Sequence, residues 1–277
     1  MSPYLEDNYN LNDPALVSVI DELSLWSAPF GLKLLEIIKL HKNMTALDIG
    51  FGTGFPLLEL AQRLGSSSTV YGIDPWAQAI ERTRQKLSVC RMDNVILHQG
   101  GGEQMPFADN FFDLLISNNG INNVSDIPQT LQECHRVARP GAQFVFTMNL
   151  DGTMMEFYRV LQEVMQQQGL KEQIKKVKEH IRHKRRPVAE MKRMLAAAQF
   201  KVTRVNQDSF SFRFVDGSTM MNHFFIKLAF LPAWKELLPR EKLEPVFSAV
   251  ESRLNDAAQQ SEVVLTIPFA VFDCQSR

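Results

Sequence analysis

The run Leu47-Asp48-Ile49-Gly50-Phe51-Gly52-Thr53-Gly54 constrains the fold more than any other stretch of the chain. It closes a short apolar segment, 44–49, that reads as a buried strand, and it leads into Leu57-Leu58-Glu59-Leu60, which reads as a helix with Pro56 at its first turn. Three glycines therefore occupy a strand-to-helix bend. Lacking Cβ atoms, Gly50, Gly52 and Gly54 reach backbone conformations closed to other residues and let an extended ligand lie on the main chain.

A dinucleotide turn needs G-x-G-x-x-G, with the pyrophosphate on the helix N-terminus. Here the third position of that pattern is Phe55, and the spacing is G-x-G-x-G. Asp48 stands two residues before the first glycine, where a carboxylate would repel a pyrophosphate but accept hydrogen bonds from a cationic amino group. The pattern suits a ligand bearing an α-amino acid.

Four more segments follow in register. Thr69 to Asp74 is a second strand ending in a carboxylate, followed by Pro75 and Trp76; Gly100-Gly101-Gly102-Glu103-Gln104-Met105-Pro106-Phe107 is glycine-rich; Phe112 to Ser117 is a fourth strand; and Arg139-Pro140-Gly141 leads into a fifth. Over residues 44–149 this series resembles the class I S-adenosylmethionine-dependent methyltransferases, of the small-molecule type. The resemblance implies a Rossmann-like, doubly wound α/β fold with a seven-stranded sheet whose last strand is antiparallel, and S-adenosyl-L-methionine as cofactor. It implies cofactor contacts from Asp48, Gly50, Phe51, Gly52, Thr53, Gly54, Asp74 on the ribose hydroxyls, Pro75, Trp76, Gly102, Glu103, Gln104, Asn118, Asn119 and Trp26. One departure stands out: the family's usual aspartate for the adenine amino group falls at Gly101. Glu103 or a main-chain group then takes that role, or adenine is held by packing against Trp76, Met105 and Phe107.

With 277 residues and 45% hydrophobic content, the chain has material for one large or two small cores. No apolar stretch approaches the roughly 20 residues that span a bilayer, and the polar N-terminus is unlike a signal sequence, so a cytoplasmic location is expected. Cys90, Cys134 and Cys274 are widely spaced and suggest neither a disulfide framework nor a metal or cluster site. Net charge is −1, but cations crowd Lys171 to Arg186, opposed only by Glu172 and Glu179. A solvated helix face is the expected reading; attraction of an anionic acceptor, nucleic acid or membrane surface is the sharper one. The run has no interleaved aromatics for stacking bases, and the Asn/Asp-Pro-Pro-aromatic signature of adenine N-methylation is absent, so nucleic acid is disfavoured as a partner.

Strands are predicted near 44–49, 69–73, 94–98, 112–117 and 142–148, with helices over 76–89 and 127–137. Two N-terminal helices, 16–25 and 31–40, are expected to form a lid over residues 1–43, ahead of a methyltransferase domain spanning 44–277. Beyond Asn149, helices are predicted at 154–168 and 187–198, a strand at 200–215 and a last strand at 263–272. Between the last two strands, about 45 residues (216–260) form an expected helical insertion, far longer than a hairpin loop.

Methyl transfer from a sulfonium is an in-line displacement that mainly needs alignment and exclusion of water, so the lack of a triad does not count against activity. Candidate catalytic residues are His223, as a base or orienting group, and Asn119 in the amide-rich Ser117 to Asn123 loop. For each a structural role, a core histidine or a turn, is the alternative. Tyr9, Trp26, Phe30, Phe157, Tyr158, Phe210, Phe212, Phe224 and Phe225 suggest an apolar acceptor pocket. The expected activity is methylation of a small or medium-sized hydrophobic acceptor. The alternatives are a non-catalytic cofactor-binding or scaffold protein, and a methyltransferase acting on nucleic acid or protein.

Overall fold

The computed structural model describes residues 2–23 and 25–277; Ser24 and the Leu23 side chain, inside the first predicted helix, and the Lys184 side chain, inside the basic run, lie outside the described residues. The elements in chain order are α1 (Pro3–Glu6), α2 (Pro14–Leu23), α3 (Ser27–Ile37), β1 (Thr45–Ile49), α4 (Leu57–Leu64), β2 (Thr69–Asp74), α5 (Ala77–Cys90), β3 (Val95–Gln99) and β4 (Phe112–Asn118). After a 3-10 turn at Gly120–Asn123 come α6 (Ile127–Val137), β5 (Ala138–Asn149), α7 (Met155–Gln167), α8 (Lys171–Lys184), α9 (Val188–Ala197) and β6 (Phe200–Phe214). The remainder is α10 (Gly217–Asn222), α11 (Phe224–Ala229), α12 (Leu231–Lys235), α13 (Arg240–Ala258) and β7 (Val263–Ser276).

The seven strands lie in the order β3-β2-β1-β4-β5-β7-β6. β1 pairs in parallel with β2 and β4, and β5 runs antiparallel to β7 from Gln143↔Gln275 to Asn149↔Phe269. The expected seven-stranded sheet with an antiparallel last strand is therefore observed. Strand order reverses beside β1, so the carboxyl ends of β1 and β4 open the crevice where ligands bind in such sheets. Residues Ala46 to Ile49 are all buried, as a parallel strand covered on both faces requires. Helix α4 supplies one cover: Leu57, Leu60, Ala61 and Leu64 recur at i, i+3, i+4 and i+7 and are all buried. Full burial of each such leucine contributes about 1.5–3 kcal/mol.

By packing, the chain forms two compact units: Leu11–Leu150 with Pro187–Asp208 and Phe269–Arg277 form one, and the N-terminal residues to Asn10 with Asp151–Arg186 and Ser209–Pro268 form the other. The first carries the parallel strands. Within it, Asp21 on α2 pairs with Arg82 (2.9 Å) and with Lys86 on α5, and Lys86 Nζ also donates to the Thr53 carbonyl at 2.6 Å. Burial raises the Asp21 carboxyl, but the hydrogen bonds from Lys86 and Arg82 outweigh it and hold the group below its usual range. In the second unit, Trp234 on α12 stacks on Phe157 of α7 at 3.8 Å, both without solvent exposure.

Two differences from the sequence reading have physical causes. The apolar helical stretch expected over 220–238 with an interruption at Pro232 is three short helices: Pro232 does start a new first turn, where its missing N–H costs nothing, and a further break falls at His223, which is extended (φ −62°, ψ 129°). The fifth strand begins at Ala138 instead of 142, since Phe112 pairs with Ala138 before the register shifts and Leu114 meets Gln143. Among the described residues, no single helix is long and apolar enough to cross a membrane.

Candidate functional site

At the carboxyl ends of β1 and β2 lies a cavity of about 520 Å³, lined by Gly50, Gly52, Asp74, Pro75, Trp76, Gly100, Gly101, Gly102, Glu103, Gly120, Asn123 and Ser125 among others. Its floor is the glycine turn. Gly50, Gly52 and Gly54 all have positive φ (77°, 53° and 106°), which L side chains resist. A Cβ on Gly50 would stand 2.9 Å from the Cα of Gly120, and one on Gly120 would stand 2.3 Å from the Ile49 carbonyl oxygen. Two glycines thus let the turn and the loop after β4 touch backbone to backbone. Apart from its chain neighbours, nothing among the described residues lies within 4 Å of a Cβ on Gly52, whose open side belongs to the cavity.

Asp74 closes β2 and fixes the turn. Its Oδ2 accepts from the Gly52 N–H and its Oδ1 from the Trp76 N–H, both at 2.8 Å. Each oxygen keeps a lone pair for a further donor, the requirement for two vicinal hydroxyls. Burial pushes the carboxyl above its ordinary value, with the two backbone donors opposing. The Trp76 indole, held by its Nε1–H to the Leu11 carbonyl at 2.9 Å, forms the wall beside it.

The departure at Gly101 has a structural counterpart. Glu103 Oε2 sits 2.6 Å from where a Gly101 Cβ would be, so its carboxylate occupies the place of a side chain at 101. Its Oε1 accepts from the Ser125 N–H and Oγ, both at 2.8 Å, tying the glycine-rich loop to the segment after the 3-10 turn. Burial acts to raise this carboxyl, yet the Ser125 hydrogen bonds prevail and keep it below the usual range. Met105 is in the core and Phe107 packs on Tyr71, His98 and Phe112, so neither lines the cavity. Packing of adenine against these two is not what the structure provides.

Asp48 is 0% exposed, and among the described residues neither carboxylate oxygen has a partner in full hydrogen-bond geometry, the Leu57 amide making only a weak approach. Burial first, then the charge of Asp74, hold its carboxyl well above the usual range, and the Leu57 amide opposes only in part. Asp48 is not among the residues that line the cavity. Phe51 is likewise buried, its ring filling the space a Cβ on Gly72 would need. Thr53 touches the turn's support through the Lys86 bond, and Gln104 is exposed away from the cavity lining.

In the loop after β4, the Asn118 amide is committed: Nδ2 donates to the Ser27 carbonyl and Oδ1 accepts from Thr147 Oγ1, each at 3.0 Å. Asn119 differs. It is left-handed (φ 60°), its Oδ1 accepts from Asn122, and its buried Nδ2 has no acceptor. Gly120, Asn123 and Ser125 were not assigned to the cofactor from sequence; the only signal was the small, amide-rich composition of that loop.

The aromatic candidates divide. Trp26 is half-buried and packs on Phe30 at 5.3 Å, but Phe30 is 0% exposed and meets Phe269 edge-on at 4.8 Å, a core position instead of a pocket wall. Phe157 and Tyr158 are also fully buried, in the other unit. His223 of that unit is exposed, which corrects the core-histidine alternative; its inner face lies on Phe214 (5.3 Å) and Phe212 (6.1 Å), and that partial burial holds the imidazole below its ordinary value.

A family model described as "Methyltransferase domain" matches residues 40–210. Demethylmenaquinone methyltransferase of Geobacillus kaustophilus is 33% identical over 120 residues, 43% of this chain and 51% of that protein. The 2-phytyl-1,4-naphtoquinone methyltransferase of a Nostoc species is 39% identical over 100 residues, 36% and 44% of the two chains. The chain thus spans about half the length of the curated relatives it matches. A SAM-dependent methyltransferase from Aquifex aeolicus shares the fold, with a TM-score of 0.56 over 95% of this chain and 98% of that one at 18% identity.

Proposed function

This chain belongs to the methyltransferase-domain family, and from that premise we propose that it transfers a methyl group from S-adenosylmethionine to a small hydrophobic acceptor. The observation that carries the reading is the cavity over Gly52, open where a Cβ would be, with Asp74 presenting two free lone pairs beside it. The bound cofactor supplies an already activated sulfonium methyl. The residues present fit it: Asp74 takes the ribose hydroxyls, Trp76 covers the base, Glu103 Oε2 accepts from the adenine amino group, and Gly50 and Gly52 admit the extended chain between them. The unpartnered Asn119 Nδ2 is a neutral donor for an oxygen of the methionine part or the acceptor. Asp48, proposed to accept from the amino group, reaches it only if the turn opens or a water relays the bond; otherwise it braces the turn.

The acceptor is proposed to be an aromatic ring of the quinol type, because the relatives are named as methyltransferases of demethylmenaquinone and of 2-phytyl-1,4-naphtoquinone. Calorimetry with S-adenosylhomocysteine, followed by labelled-methyl transfer to a panel of naphthoquinols and simple phenols, tests both halves. Absence of S-adenosylhomocysteine binding overturns the site. Binding without transfer to any ring acceptor overturns the acceptor class and leaves a cofactor-binding protein.

A further inference from the structure

The basic run does not end as a solvated face. Along α8 the cations Lys175, Lys176, Lys178, Arg182 and His183 are exposed, but Arg185, at the C-cap, turns inward and is 3% exposed. Its Nη1 donates to the Tyr158 hydroxyl at 3.3 Å and its guanidinium lies 5.3 Å from the Tyr158 ring centroid, while Nε has no partner. The Tyr158 hydroxyl also receives the Trp234 Nε1–H at 3.0 Å, and both rings are 0% exposed.

Every polar member of this cluster is a donor. Arginine and the tryptophan indole accept nothing, so the hydroxyl uses both lone pairs on them and its own proton faces no acceptor within the trio. Among the described residues no carboxylate pairs with Arg185. The aromatic face and the C-terminal end of α8 offer the cation partial compensation. Neither satisfies Nε–H or the tyrosine O–H, and buried charges are ordinarily paired and hydrogen-bonded.

We propose that Arg185, Tyr158 and Trp234 form a binding site for an oxyanion, a carboxylate or phosphate group received by the guanidinium and the tyrosine O–H. The fork of the guanidinium matches two oxygens at once, and the aromatic walls favour an anion attached to an apolar body. This site lies wholly within the unit that does not carry the glycine turn, and the inference stands independently of the methyl-transfer reading.

The test is a melting titration with sodium phosphate and with sodium benzoate, each against chloride at matched ionic strength. The parent is expected to show a saturable rise in Tm with at least one of them. A phosphate response identifies a free inorganic anion as sufficient; a response to benzoate alone identifies an acid group on an apolar ligand. Arg185→Met should remove the response, and Tyr158→Phe, which deletes only the hydroxyl, should weaken it about tenfold, while S-adenosylhomocysteine affinity stays at the parent value in both. No response in the parent to either anion, or an undiminished one in Arg185→Met, overturns the proposal. If Arg185→Met does not fold, an undiminished response in Tyr158→Phe does the same.

Discussion

Gly50 and Gly52 are two residues apart, share a positive φ and differ only in what a side chain would meet, so alanine at each separates folding from binding. At Gly52 the cost to the ligand-free protein is the left-handed backbone alone, about 1–2 kcal/mol, because apart from its chain neighbours nothing among the described residues lies within 4 Å of the new methyl. At Gly50 the same backbone cost is joined by a Cβ 2.9 Å from the Gly120 Cα. Backbone cannot rotate aside as a side chain can, and overpacking of this kind adds about 1–3 kcal/mol. At roughly 2–4 °C per kcal/mol for a chain of this size, Gly52→Ala should lower Tm by about 2–8 °C and Gly50→Ala by clearly more. Binding should not follow that order: Gly52→Ala places its methyl in the cavity and should cost at least about tenfold in S-adenosylhomocysteine affinity, some 1.4 kcal/mol. Scanning fluorimetry and calorimetry on the two variants decide the matter. A Gly52→Ala protein that binds like the parent would refute the placement of the ligand on this turn, and one that melts below Gly50→Ala would refute the steric reasoning.

Asp74→Ala removes an acceptor of two backbone donors and, on the proposed reading, of two ribose hydroxyls; calorimetry should show a loss of about 2–3 kcal/mol in cofactor binding. Glu103→Ala should weaken S-adenosylhomocysteine more than it weakens an analogue lacking the adenine amino group, and equal losses would mean that Glu103 acts only through Ser125. Asp48→Asn should raise the Tm of the ligand-free protein at pH 8 and change it little at pH 4. A carboxyl whose folded-state pKa lies above its unfolded one costs stability as pH rises through the interval between them, and the amide removes that cost. A melting series that shows the gain only at low pH would reverse the assignment.

The glycine turn and Asp74 were legible because their information is local: spacing along one strand, one bend and the next strand end. The helical insertion was legible from its length and the antiparallel last strand from the family resemblance, whereas the three-helix break in the insertion depended on His223 adopting an extended backbone. Contacts between distant positions were not readable. Gly120 matters because its Cα meets Gly50, a pairing separated by 70 residues that no periodicity announces. Glu103 substitutes for a side chain at 101 through a fold of its own loop, which composition alone shows only as a mismatch. Phe30 read as a pocket wall, yet its neighbour is Phe269, near the other terminus. Arg185 read as one more solvated cation since charge counting along a helix ignores where the chain turns after the helix ends.

The strand order carries a consequence for how the molecule is made. β7 is last in sequence yet stands between β5 and β6, so β6 has no neighbour in the sheet until β7 is present. During synthesis β5 therefore offers a bare hydrogen-bonding edge while the residues from Leu150 to Glu262 emerge, and such an edge is a template for another chain. Until β7 is in place two strands, β5 and β6, lack the neighbour that stands between them in the finished sheet, so this side of the sheet is completed in one step by residues 263–276.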